Sequence, residues 1–129
     1  MTLPPYADAL GLTIDRDGAS GIEVVMPFAQ HLLGRPGFLH GGAIAGLIKI
    51  AGLTALFDAL GEDRPRVKPV NITIDFMRGG RMVETRAAGR VTRVGSRIAN
   101  VEAFAWQEDR DRPIAAARIN LILSRANRL

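Results

Sequence analysis

Cysteine is absent from this 129-residue sequence, and histidine occurs only at His31 and His40. The lack of cysteine excludes disulfide bonds and thiol chemistry, and it suits a cytoplasmic protein. Two histidines without metal-ligand spacing around them predict no metal site. The first ten residues hold two prolines and no continuous apolar run, so we expect no secretory signal there.

Lysine is also scarce. It occurs only at Lys49 and Lys68, so arginine supplies most of the 17 basic residues, which outnumber 13 acidic ones and give a net charge of +4. Guanidinium groups bind phosphate through a bidentate fork, so this excess suits an anionic small molecule such as coenzyme A. The alternative is a solvated basic surface, and some of the arginines must be only that. The basic residues are spread along the strands, without interleaved aromatic residues. A nucleic-acid binder is therefore the last-ranked hypothesis, and we expect no nucleic acid among the partners.

One long apolar segment dominates the sequence. From position 43 to position 60 the only polar side chains are Lys49, Thr54 and Asp58. A helix that is apolar nearly all round is either a membrane span or a buried core helix. A span needs about 20 apolar residues without a charge near the middle, and Lys49 interrupts this run. We therefore expect no membrane association, and a core helix near residues 41 to 60 that is wrapped by a sheet.

The remaining pattern predicts strands. Two short segments, 12–16 and 22–26, precede the helix, and four alternating segments follow it at 70–76, 83–91, 98–108 and 114–124. In the first of these four, the apolar residues are expected to share one buried face, and they are Val70, Ile72, Ile74 and Phe76. Residues 1–129 thus form a single α+β domain with an antiparallel sheet.

The start of the helix is chemically distinctive. His40-Gly41-Gly42 contains no Ser, Thr, Asp or Asn cap, and the glycines allow a ligand to approach the backbone closely. First-turn N–H groups lack helical partners and could hold an anion or polarise a carbonyl oxygen. The alternative is a tight loop-to-helix turn with no ligand. His40 likewise either contacts a ligand or braces the loop.

The segment Gly37–Ala43, followed by the apolar helix, resembles the G-x-x-H-G-G signature of the hotdog-fold acyl-CoA thioesterase superfamily. The similarity is greatest to the PaaI-like and hydroxybenzoyl-CoA thioesterase-like branch. The resemblance implies a hotdog fold, in which one long central helix is wrapped by five to six antiparallel strands. It also implies an acyl-CoA substrate, coenzyme A only as part of that substrate, no separate cofactor, and a homodimer or homotetramer.

The same resemblance assigns site residues. It places the thioester carbonyl at Gly41 and Gly42, and the phosphates of coenzyme A near a hairpin that is similar to the R-x-G-R/K segment of the family. The alternative for that hairpin is a solvated turn. The residues implied in catalysis are His40, Gly42 and Lys49, and those implied in binding coenzyme A are Gly41, Gly42, Arg93, Gly95, Ser96 and Arg97.

The chain departs from the family pattern at three positions. Lys49 stands where the family usually carries a catalytic Asp or Glu on the helix, Gly34 stands where it often has Asn, and Pro69 stands where it has Ser or Thr. On a helical wheel neither Thr54 nor Asp58 shares a face with Lys49, so neither is a simple replacement. The acid/base group is therefore missing although the fold signature is kept.

Two functional hypotheses follow. The first is a hydrolase of acyl-CoA thioesters in which Lys49 or a partner's carboxylate would have to hold the water. The second is a non-catalytic acyl-CoA-binding subunit, which assembles as a hetero-oligomer with a catalytically complete homologue.

Overall fold

The computed structural model describes residues 3–124 of the chain. The long helix begins and ends where the sequence predicted, and the strands lie on either side of it in the chain. The elements are α1 Pro5–Leu10, β1 Thr13–Gly18, β2 Gly21–Met26, a 3₁₀ turn at Gln30–Leu32, α2 Gly41–Leu60, β3 Arg66–Phe76, β4 Thr85–Val94, β5 Ile98–Trp106 and β6 Ala115–Ser124.

The strands form one antiparallel sheet in the order β1-β2-β4-β5-β6-β3. Helix α2 packs against one face of this sheet, and α1 packs against α2. The expected arrangement of one long helix wrapped by an antiparallel sheet is confirmed, with six strands. The order also leaves β1 and β3 as the two edge strands.

Small residues allow α2 to lie very close to the sheet. A Cβ atom on Gly89 of β4 would lie 2.8 Å from the carbonyl oxygen of Ala51 and 2.9 Å from the Cα atom of Gly52. A Cβ atom on Gly52 would in turn lie 2.6 Å from Cδ1 of Ile119 on β6. Alanines on the strands around this point are completely buried, at Ala87, Ala99, Ala103, Ala105 and Ala115.

One side of α2 stays uncovered. Ala55 meets Gly89 on β4, and Gly52 meets Ile119 on β6. Because each step of three residues turns the helix by about 60°, Lys49 lies one further step around the axis, toward the edge strand β3. Lys49 is exposed there.

By length and composition alone, α2 is long and apolar enough to cross a membrane, but half of it is buried inside this fold. Core helices pass the same test, so the observation adds no argument for a membrane.

The prediction of a buried face on β3 is wrong for the single chain. Ile72, Ile74 and Phe76 do pair with inward-facing residues of β6, so they lie on the helix side of the sheet. However, β3 has a neighbour on one side only, and Ile74 alone among the predicted apolar residues is partly buried. The exposed fractions of the others are 57% for Val70, 36% for Ile72 and 55% for Phe76.

An ion network ties β1, β2 and β4 together on the outer face of the sheet. Arg86 donates hydrogen bonds from Nη1 to Asp15 (2.8 Å) and Glu23 (2.9 Å), and from Nε to Glu84 (3.0 Å). Glu23 is only 3% exposed and also accepts the N–H of Ser20 at 2.9 Å. The hydrogen bond from Arg86 holds the pKa of Asp15 below its ordinary value, and these carboxylates raise the pKa of Arg86.

The helix–sheet approach makes a testable prediction. Gly89→Ala should lower the free energy of unfolding by about 1–3 kcal/mol, because the added methyl meets backbone atoms of α2 that cannot move separately. The matched control is Gly41→Ala, whose methyl would meet only ring carbons of Phe76 at 3.6 Å or more. Urea unfolding monitored by circular dichroism measures both, and equal stability of the two variants would contradict this packing.

The ion network predicts a specific acid response. The pKa of Asp15 is lower in the folded chain than in the unfolded one. The stabilisation that ionised Asp15 gives the fold is therefore present above its pKa in the unfolded chain, about 3.9, and is lost as the pH falls through the lowered pKa of the folded chain. Arg86→Met removes that dependence and leaves the carboxylate of Glu23 buried without a cation. We therefore expect a loss of about 3 kcal/mol at neutral pH, and a smaller further loss than the wild type shows on acidification.

The control for this experiment is Arg81→Met. Arg81 pairs with Glu108, and both side chains are largely exposed, so this change should cost little at any pH. Unfolding curves at several pH values compare the three proteins. Identical acid responses of the wild type and Arg86→Met would rule out the network as the cause.

Candidate functional site at the start of the long helix

The loop before α2 is held by backbone hydrogen bonds. The N–H of His40 donates to the carbonyl of Leu32 at 2.8 Å, and the N–H of Leu39 donates to Gly80 at 2.9 Å. A bridge between Leu33 and Leu39 closes the loop on itself. The backbone at the helix start is therefore fixed before any ligand arrives.

His40 is itself the N-cap of α2. Its Nδ1 atom accepts a hydrogen bond of 2.8 Å from the N–H of Gly42. This geometry requires an unprotonated Nδ1, so the neutral ring carries its proton on Nε2. The histidine therefore takes the place of a Ser, Thr, Asp or Asn cap, and the bracing contact is present.

The two glycines have different surroundings. The N–H groups of Ala43 and Ile44 both donate to the carbonyl of His40, and that of Gly42 donates to the imidazole. Within residues 3–124 the N–H of Gly41 has no hydrogen-bond acceptor, and Gly41 is exposed at the positive end of the helix. Gly41 therefore has a backbone donor free for an external oxygen, whereas the donor of Gly42 is already engaged.

One of the departures from the family pattern lies against this site, and another lies on the edge strand β3, toward its far end. A Cβ atom on Gly34 would lie 3.1 Å from Cα of His40, so a side chain at position 34 would project directly against the histidine. Pro69 lies on the edge strand β3 beside a register irregularity between Pro69 and Asn71. Neither residue can supply a polar side chain to hold a water molecule.

Lys49 lies on the same helix, eight residues after Gly41, on its uncovered side. It makes no hydrogen bond or ion pair with any residue in the described part of the chain. The ammonium group is therefore solvated in the single chain. No carboxylate lies beside it on the helix, since Asp58 is about 14 Å away along the axis.

The predicted hairpin of Arg93, Gly95, Ser96 and Arg97 lies at the other end of α2. Gly95 to Arg97 line an open cleft of about 780 Å³ together with Leu60, the last residue of the helix. A helix of 20 residues is about 30 Å long, so one chain does not bring this hairpin to Gly41.

Sequence reasoning missed other arginines close to the helix start. Arg78 and Arg112 line a cavity of about 350 Å³ that also includes Gly79. Gly79 packs against Phe38 in the loop before α2, since a Cβ atom there would lie 2.7 Å from the phenyl ring. The only signal in the sequence is an Arg-Gly-Gly segment at the end of a strand, and its position depends on the tertiary fold.

Comparison with known proteins places this geometry in a family. Residues 36–114 match the family model described as the thioesterase superfamily. A conserved protein from Pseudomonas aeruginosa is 30% identical, with 94% of each chain covered and a TM-score of 0.80. No curated protein matches the chain.

Two further structures share the fold at lower identity. A thioesterase from Haemophilus influenzae is 22% identical, with a TM-score of 0.81 over 95% of this chain and 85% of the other. A Bacillus halodurans protein solved with CoA is 18% identical, with a TM-score of 0.81 over 97% and 82% of the two chains. With a family match that covers most of the chain and includes the entire helix-start site, this protein belongs to the thioesterase superfamily.

Proposed function

We propose that the chain binds an acyl-CoA thioester at the start of α2, and that it hydrolyses the thioester slowly or not at all when purified alone. One observation carries both parts of the proposal. Among residues 3–124, no acceptor bonds the N–H of Gly41 at the positive end of α2, while the only ionisable side chain in the middle of that helix is Lys49.

The ligand class is supported by the family and by the charge of the chain. A fold neighbour from Bacillus halodurans was solved with CoA. In this chain, Arg78, Arg81 and Arg112 line a cavity beside the loop that leads into α2, together with Glu108 and Asp109, and guanidinium groups bind phosphate well. The acyl group is not identified by these contacts.

The chemistry explains why turnover is expected to be weak. A donor at Gly41 would stabilise the oxyanion that forms when a thioester carbonyl is attacked. The attack also needs a group that removes a proton from water. A protonated lysine has three donors and no acceptor, so Lys49 does not serve as that base in its charged form. Asp75 lies on the outer face of the sheet, opposite Ala116, and faces away from the helix.

We further propose that two copies pair through β3. An unpaired edge strand with exposed apolar side chains is a template for another chain, and Val70, Ile72 and Phe76 are exposed on this edge. A two-fold pairing of β3 with itself runs antiparallel, so the Phe76 end of one strand meets the Arg66 end of its partner. The partner would also cover the uncovered side of α2 that carries Lys49.

This pairing would unite the two separated parts of the predicted site. Phe76 lies over Gly41, at the helix start. At the opposite end of β3, Arg66 pairs with Ser124, and the neighbouring Leu123 donates its N–H to the carbonyl of Arg97 at 2.7 Å. Antiparallel pairing therefore places the partner's hairpin at the same end of the joint sheet as this chain's helix start.

A second candidate is the non-catalytic subunit. Since Lys49 lies toward the β3 edge, the corresponding position of a partner's helix would face the same interface. A homologue with a carboxylate there could complete the site in a hetero-oligomer. This candidate predicts acyl-CoA binding by the purified chain but hydrolysis only in the mixed assembly.

The position of Lys49 makes the main activity prediction. Lys49→Glu should raise acyl-CoA hydrolysis over the wild type, because a carboxylate can act as general base, which typically contributes about 10²–10⁴-fold. The gain is expected at the lower end, since Gly34 and Pro69 supply no polar group. Release of free CoA thiol from a panel of acyl-CoAs measures the rate. Lys68→Glu is the matched control, because it makes the same charge change on the exposed outer side of β3.

Two results would contradict this reading. Brisk hydrolysis by the wild type that Lys49→Ala abolishes would make Lys49 catalytic. Brisk hydrolysis that Lys49→Ala leaves unchanged would place the catalytic group elsewhere.

The edge strand makes an assembly prediction. Ile72→Asp should convert the dimer to a monomer, because it puts a charge on the helix side of the exposed edge. Thr73→Asp, one residue further on the outer face, should leave the dimer intact. Light scattering gives the mass, and a thermal shift with CoA should be present for Thr73→Asp and lost for Ile72→Asp. A wild-type chain that is monomeric at micromolar concentration would refute the pairing.

A further inference from the structure

A second concave site lies on the outer face of the sheet, which is the face that α2 does not touch. It crosses β4 and β5 and has a volume of about 360 Å³. This volume falls in the lower part of the range for small-molecule sites. Its lining includes Ser20, Ala88, Arg90, Phe104, Trp106 and Arg110. We call it the outer groove.

One wall of the outer groove is formed by a side chain that spans two loops. Arg110, in the loop between β5 and β6, donates from Nη1 to Oγ of Ser20 in the turn between β1 and β2, at 2.8 Å. In the described part of the chain Arg110 has no carboxylate partner. Arg110 therefore makes no ion pair there, whereas Arg90 is paired with Glu102.

The aromatic wall carries a donor without a partner in the described part of the chain. Trp106 is only 6% exposed, and its indole N–H makes no hydrogen bond to any residue from 3 to 124. No solvent-excluded side-chain nitrogen or oxygen in that range lacks a partner, so the indole nitrogen must reach solvent through the small exposed part of the side chain. None of the described residues that line the outer groove carries a carboxylate.

We propose that the outer groove binds a small aromatic carboxylate. The carboxylate would accept hydrogen bonds from the guanidinium of Arg110 and from the indole N–H of Trp106. Among residues 3–124, the guanidinium is bonded only to the neutral hydroxyl of Ser20, and the indole N–H has no acceptor. The ring would lie on the apolar surface of Phe104 and Ala88. An inorganic anion would use the donors but leave this apolar wall uncovered, so the combination favours a ligand with both parts. The site is separate from the proposed acyl-CoA site, which lies on the other face of the sheet.

The test uses Trp106, the only tryptophan in the chain. A ¹⁵N-labelled protein gives a single indole N–H signal, and intrinsic tryptophan fluorescence reports on the same ring. Titration with benzoate should shift the indole signal saturably at millimolar concentration. Benzamide, which lacks the charge, and acetate and inorganic phosphate, which lack the ring, should need at least about ten times more ligand.

Two variants sharpen the result. Arg110→Met should weaken the benzoate response at least about tenfold. Arg118→Met removes another guanidinium from the outer face but outside the lining of the groove, so it should leave the response unchanged. Circular dichroism confirms that each variant is folded, which is expected because Arg110 and Arg118 are exposed.

Several outcomes would overturn the proposal. These are no saturable shift with benzoate, equal shifts with acetate or phosphate, and an unchanged benzoate response in Arg110→Met. None of these outcomes depends on thioester hydrolysis. The proposal for the outer groove can therefore be refuted while the proposed acyl-CoA site stands, and the reverse also holds.

Discussion

The close contact between α2 and the sheet is the constraint on which the rest of the structure depends. Gly89 lets the backbone of α2 approach β4 to within a distance that a Cβ atom would prevent, and Gly52 leaves room for the side chain of Ile119 on β6. The helix can then be apolar nearly all round and bury about half of itself against a single layer of strands. The same contact fixes the rotation of α2 about its axis, and hence the direction in which Lys49 faces.

That rotation links packing to function. The uncovered side of α2 is directed to the one edge of the sheet that carries exposed apolar side chains, at Val70, Ile72 and Phe76. The helix start, with the free N–H of Gly41, lies beneath the end of that edge strand. The single chain therefore presents a backbone donor, a lysine and an apolar strand edge in one continuous region, which is why we regard a second copy as part of the proposed site.

The arginines of this chain have several distinct roles. Arg86 is a structural cation that neutralises the buried Glu23 and stabilises ionised Asp15. Its role is therefore to link three strands and not to bind a ligand. Arg110 spans two loops of the outer face, and Arg78 lines a cavity by the helix start. A count of basic residues suggests phosphate recognition, but only the position of each guanidinium group distinguishes a fold-stabilising ion pair from a free binding group.

The sequence by itself predicted the long helix from 41 to 60, an antiparallel sheet of five to six strands and the family, because apolar periodicity and the His40-Gly41-Gly42 segment are local signals. It could not determine that His40 caps Gly42 and leaves Gly41 free, because that depends on the geometry of one side chain. Nor could it show that β3 is an edge strand, since a period of two indicates which face of a strand is apolar but not which strands lie beside it. The distance of Arg97 from Gly41 and the closeness of Arg78 to the helix start were decided only by the tertiary structure, because strand order is set by packing between segments far apart in the chain.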